Sequence, residues 1–232
     1  MGLGLRGEAS TVKREACHGL AESPRSARVI RTLAFWSAVV GAALLLIMII
    51  AGGAAWPGYS HVRDFISELG ATGAPHARLV NFAGFLPVGI LMTMFTVLAA
   101  FVAPRGALQI AGFACLTLFT ATYAVIAFFP CDLGCAPVSP SFSQLMHNLF
   151  GLLGYLGAPI GLILLGVAAR QWSGGRWLFP LGIICGVVAA VAFAMMLAEP
   201  ATGGLVQRLL EGAVVVWILA CAFTLRRDRA SI

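Results

Sequence analysis

Charge is what this sequence has least of. Only 10% of its 232 residues are charged, against 60% from the AVILMFWYC set, and the mean hydropathy is +0.94. A soluble domain of this length needs far more polar surface, so the balance excludes one and implies an integral membrane protein with no room for a separate soluble catalytic domain. Also lacking are GxSxG, HExxH and a glycine-rich phosphate loop, which leaves no familiar nucleophile, zinc helix or nucleotide cradle. No convincing internal repeat is present, and the spans carry neither several mid-membrane acids nor two matched broken helices, the pattern that would favour a secondary transporter.

What is present is a set of apolar runs: Leu33 to Ala55, Leu79 to Ala103, Ala107 to Phe129, Leu145 to Ala169, Trp177 to Ala198 and Leu205 to Leu225. Each is long enough to cross a hydrocarbon core of about 30 Å at about 1.5 Å per residue. They predict an all-α fold, a polytopic bundle of six transmembrane helices, with residues 31–228 as one membrane domain and 1–30 as a flexible basic cytoplasmic tail. The first run exceeds the length of a signal-peptide core and reads as an anchor. Trp36, Trp56, Trp172 and Trp177 sit at span ends as interfacial anchors would, whereas Trp217 falls inside the sixth run. Gly157 with Gly161 and Gly182 with Gly186 have the spacing of close helix crossings.

A net charge of +6 would suit nucleic acid, yet the basic residues follow the membrane rather than a binding face. Twelve of the 15 Lys and Arg flank one side of the predicted spans, and only Arg63, Arg78 and Arg208 fall on the other. By the positive-inside rule both termini are cytoplasmic, in a multi-pass protein of the cell membrane whose obligatory partner is lipid and not nucleic acid. Asp64, Glu68, Asp132, Glu199 and Glu211 lie on or near the opposite, outer side, with His61, His76 and His147. The positive-inside rule accounts for the scarcity of Lys and Arg there, but not for this gathering of acids and histidines.

The most specific stretch is YSHVRDFISELG, Tyr59 to Gly70. Val62, Phe65, Ile66 and Leu69 recur at helical spacing, and His61, Asp64 and Glu68 recur on another side, which predicts a short amphipathic helix in the first outer loop with Ser60 as N-cap. The outer loop between spans three and four holds Cys131 and Cys135 beside Asp132. These are the cysteines in an oxidising, non-membrane position, so a disulfide is expected, with metal ligation by the pair and His147 as the alternative. Asn81 lies near the outer end of span two. Arg208 and Glu211, three apart in span six, have the spacing to pair with each other.

Several of these residues also carry a resemblance. Ile66 to Gly70 (ISELG), Asn81, Gly84 and Gly89, Phe129 to Asp132 (FPCD), His147, and Gly204, Gln207, Arg208 and Trp217 stand in an order that resembles the membrane-protein family known as domain of unknown function 998. The resemblance runs from the first span to the last and implies a six-span protein, with no established activity, cofactor or substrate.

The candidate ligand-binding residues are therefore His61, Asp64, Glu68, Asn81, Asp132, His147, Arg208 and Glu211. The expectation is a polar pocket on the outer face that binds a lipid headgroup or small ligand, with Glu68 brought near Asp132, His147 and Arg208. The alternatives are a membrane-embedded hydrolase or transferase using Glu68, Asp132 and His147, and an ion- or proton-coupled transporter using Glu199, Arg208 and Glu211. The sequence names no cofactor. If the topology is right, an impermeant thiol reagent will fail to label a cysteine introduced beside Arg105 in intact cells. Efficient labelling there would reverse the orientation.

Overall fold

The computed structural model describes residues 24–198 and 200–227. The first 23 residues of the expected tail, with Cys17, lie outside them, as does Glu199. Six long helices carry the fold: α1 (Pro24–Ala54), α2 (Ala77–Val102), α3 (Ala107–Ile126), α4 (Phe142–Ala169), α5 (Leu178–Ala198) and α6 (Gly203–Arg227). All six are long and apolar enough to cross a membrane, and no strand occurs among the described residues. The chain is a multi-pass membrane protein. Helix ends fall within a few residues of the apolar runs, except that α1 begins at Pro24, so residues 24–30 are helical.

Only helices satisfy every backbone N–H and C=O internally where water is absent, which is why the apolar runs fold this way. Each helix packs on its neighbours in sequence, and α1 also packs on α6, closing a ring. Side chains such as Leu46, Ile47, Ile90, Ile110, Ile160 and Ile184 remain exposed on the outside, where lipid covers them. The interior is filled by Phe95, Phe113, Leu116, Leu162, Leu165, Leu210 and Trp217. Trp217 is thus a core residue. Trp172, expected as an interfacial anchor, is also buried, at 3% exposure, and stacks on Phe113 at 6.4 Å between ring centroids.

Small residues set the helix crossings. A Cβ on Gly182 would lie 2.6 Å from the Cα of Gly166 and 2.8 Å from the carbonyl oxygen of Leu162, so α4 and α5 touch backbone to backbone. Gly157 and Gly161 approach the carbonyls of Cys115 and Gly112 in the same way, bringing α4 onto α3. In α2, residues Val80–Phe85 form a π-helical turn just before Pro87. Proline offers no N–H to the helix, and the wider turn places the donor-deficient residue at the start of the regular segment that follows.

The turns around residues 103–106 and 170–177 lie at the end of the bundle where α1 begins and α6 ends, the terminal end. The longer loops at 55–76 and 127–141 lie at the other, the loop end. One expectation is corrected here. The amphipathic helix predicted across His61 to Gly70 is only the 3-10 turn Ile66–Gly70, and residues 61–63 form a hydrogen-bonded turn instead. Tertiary contacts with α6 claim the backbone groups that a longer helix would have used.

Candidate functional site

The first loop is folded onto the start of α6. The first N–H groups of a helix have no partner within it. Here the N–H of Gly204 donates to the Arg63 carbonyl at 3.1 Å and that of Leu205 to the Val62 carbonyl at 2.9 Å. The approach is so close that a Cβ on Gly204 would collide with the Asp64 carbonyl. Asp64 holds the turn from inside: its carboxylate accepts from the Ser60 N–H at 2.7 Å and from the Arg63 guanidinium at 2.6 and 2.9 Å. Burial alone would raise the Asp64 carboxyl, but these donors together hold it below the usual carboxylate range.

Arg208, one turn into α6, reaches back to the same loop. Its guanidinium donates to the carbonyls of Asp64 and Gly204 at 3.0 and 2.8 Å and to the Tyr59 hydroxyl at 2.6 Å. It also lies 3.0 Å from His61 Nδ1, which must accept because a guanidinium can only donate. Tyr59 donates in turn to the Phe65 carbonyl at 2.9 Å, and burial pushes its phenol up to about 12, so it stays a donor. Arg208 therefore does not pair with Glu211. At three residues apart the two side chains diverge, the longer one extending toward the polar loop and the shorter one pointing into the bundle.

The 3-10 turn is held at both ends. Glu68 accepts from the Phe65 N–H at 2.9 Å, and burial raises its carboxyl above the ordinary value. Asn81 donates to the Gly70 carbonyl at 2.8 Å, tying the turn to α2. The second loop is organised by Asp132, whose carboxylate accepts from the backbone N–H and hydroxyl of Ser141 at 2.9 and 2.7 Å and is held low by those donors. Ser141 in turn caps α4 through the Gln144 N–H at 3.1 Å. Cys131 and Cys135 are joined by a disulfide with an S–S distance of 1.98 Å. Among the described residues, no three His, Cys, Asp or Glu side chains gather as a metal site would require.

Beneath these loops lies a cavity of about 420 Å³ between α3, α4, α5 and α6. Its polar floor is a directed chain of hydrogen bonds. The Ile66 N–H donates to Gln207 Oε1 at 2.6 Å, Gln207 Nε2 donates to the Tyr155 oxygen at 2.5 Å, and the Tyr155 hydroxyl donates to Glu211 Oε1 at 3.1 Å. Tyr123 donates to the other carboxylate oxygen at 2.7 Å. Glu211 is buried, at 4% exposure. His147, Gly151 and Tyr155 follow one another at four-residue steps on one face of α4, so the histidine sits about 12 Å above the floor. Its Nδ1 donates to the Phe129 carbonyl at 3.0 Å, and Nε2 has no hydrogen-bond partner among the described residues. Gly151 leaves open space between the two levels, with nothing within 4 Å of where a Cβ would stand. Leu152 and Leu197 line the cavity and are also 46% and 70% exposed, so it reaches the lipid-facing surface between α4 and α5.

Of the residues singled out from sequence, His147 and Glu211 line this cavity. His61, Asp64 and Arg208 belong instead to the loop–α6 junction, Glu68 and Asn81 brace the 3-10 turn, and Asp132 holds Ser141, the N-cap of α4. The cavity adds Gln207, Tyr155 and Tyr123, which the sequence reading passed over as site residues. One signal was there to find: Gln207 and Glu211 are four apart, on one face of α6.

The family described as Protein of unknown function (DUF998) matches residues 39–224. The chain belongs to this family. The match runs from within α1 to the last turn of α6 and so includes every residue of the cavity. No curated protein and no solved structure matches the chain.

Gln207 holds the DUF998 chain's loop to its cavity floor with two hydrogen bonds, and replacing it by an apolar side chain leaves the buried Ile66 N–H without its acceptor and the Tyr155 oxygen without its donor. Gln207→Leu is expected to cost about 1–3 kcal/mol and to accelerate hydrogen exchange at Ile66. Unchanged exchange at Ile66 would show that the bond does not hold the loop.

Proposed function

We propose that this protein binds an amphiphilic ligand, a lipid headgroup or small molecule with an apolar tail, in the loop-end cavity, and that this end faces away from the cytoplasm in the cell membrane. The observation that carries the reading is the cavity itself: apolar walls, a small set of convergent polar groups on the floor, and a side that reaches the lipid-facing surface. Ligand pockets have this makeup, and about 420 Å³ falls within their usual range. The orientation is supported by Arg105, Arg170 and Arg176, which line a groove at the terminal end, whereas Glu68, Asp132 and Glu211 lie toward the loop end.

Binding is favoured over hydrolysis or group transfer because the carboxylates suggested for catalysis already have structural work. Asp132 is engaged by Ser141 and Glu68 by the Phe65 N–H, so neither is free to act with His147 as acid or base. Coupled transport through Arg208 and Glu211 is disfavoured because Arg208 is engaged by the loop.

Native mass spectrometry of protein released gently from its membrane tests the proposal. The unsubstituted chain should carry a bound lipid or small amphiphile, and Gly151→Leu, which fills the cavity from a position with free space, should lose it at an unchanged or higher Tm. Retention of the same adduct by both proteins would place the ligand elsewhere.

A further inference from the structure

We infer that the part of the ligand received by this cavity is a cation, an alkylammonium head whose counter-charge is Glu211; the inference rests on the ligand-binding reading above. A backbone N–H can only donate, so Ile66 fixes Gln207 with its carbonyl oxygen toward the loop and its amide nitrogen toward Tyr155. The amide nitrogen can only donate too, which turns the Tyr155 hydrogen toward Glu211. The carboxyl group is thus presented as an acceptor at Oε1, and Tyr123 supplies a donor at Oε2.

Among the described residues, no cation pairs with it. Among the described residues the ion pair within 4.0 Å is Arg63 with Asp64, at the loop surface. Arg208, the nearest basic residue along α6, is engaged by Tyr59, His61 and two backbone carbonyls. The other titratable groups around the cavity are Tyr123, Tyr155 and, two turns nearer the rim, His147. A carboxylate buried at membrane depth without a counter-charge is costly, and an incoming ammonium removes that cost. An anionic head would add to it.

The walls fit the same ligand. Phe85, Tyr123, Phe119, Tyr155 and Phe193 all line the cavity and form a continuous belt, with successive ring centroids 6.2, 5.7, 6.0 and 5.9 Å apart. The belt passes through both tyrosines that hold Glu211. Aromatic faces carry negative electrostatic potential and attract alkylammonium groups, most strongly where water is excluded. A carboxylate set in an aromatic belt therefore selects a soft, weakly hydrated cation over a neutral alcohol of the same length.

The test uses tritiated hexyltrimethylammonium and the full chain in detergent, with unlabelled hexyltrimethylammonium, 1-hexanol and hexanoate as competitors. Saturable binding is expected, with the ammonium competing at least about tenfold better than hexanol and hexanoate not competing. Glu211→Gln should weaken binding by a similar factor, and Gly151→Leu should abolish it. If the Gln variant does not fold, the ratio of ammonium to alcohol in the unsubstituted protein decides alone. Equal competition by hexanol, with Glu211→Gln unaffected, would overturn the charge assignment and leave ligand binding standing. Absence of saturable binding of the ammonium, with hexanol giving no Gly151-sensitive effect in parallel, would overturn both.

Discussion

The hydrogen-bond chain from the Ile66 N–H through Gln207 and Tyr155 to Glu211 is the constraint on which the loop end depends. It is the point where the first loop, α4 and α6 meet, and Tyr123 extends it to α3. Each polar group lies where water does not compete, so the links reinforce one another and a break at any one leaves a buried donor or acceptor unmatched. This polar floor joins α4 to α6 at the base of the cavity, and Gly151 withholds the side chain that would otherwise fill the space above it.

A second polar junction stands beside the first without joining it. Arg208 gathers Tyr59, His61 and the Asp64 carbonyl and pins the loop over the start of α6. By serving the loop, it leaves Glu211 to the tyrosines. Two ionisable residues on one helix, three positions apart, thus take separate tasks: Arg208 fixes the roof, and Glu211 gives the floor its polarity.

The spans were legible in the sequence because a run of apolar residues in lipid has one way to satisfy its backbone. The polar end was legible as well, since the acids and histidines collect at the ends of the same spans. What the sequence obscured was partnership. Tyr123 and Tyr155 read as members of apolar runs, and they lie 88 and 56 positions before the Glu211 they meet, so only the folding of the spans brings them together. The i, i+3 spacing of Arg208 and Glu211 suggested a local pair, but loop acceptors drew off Arg208 and tyrosine donors took Glu211. The helix expected from His61 to Gly70 failed for a related reason. Carbonyls of Val62 and Arg63, which would have served that helix, instead receive the first N–H groups of α6.

The most direct test of this account is a cryo-electron-microscopy map of the protein in lipid nanodiscs, at a resolution that places side chains. The account predicts Glu211 between Tyr123 and Tyr155, Arg208 turned to Tyr59, and ligand density rising from the carboxylate past Gly151. A map with Arg208 folded onto Glu211, or with α4 and α6 closed over a filled floor, would contradict it.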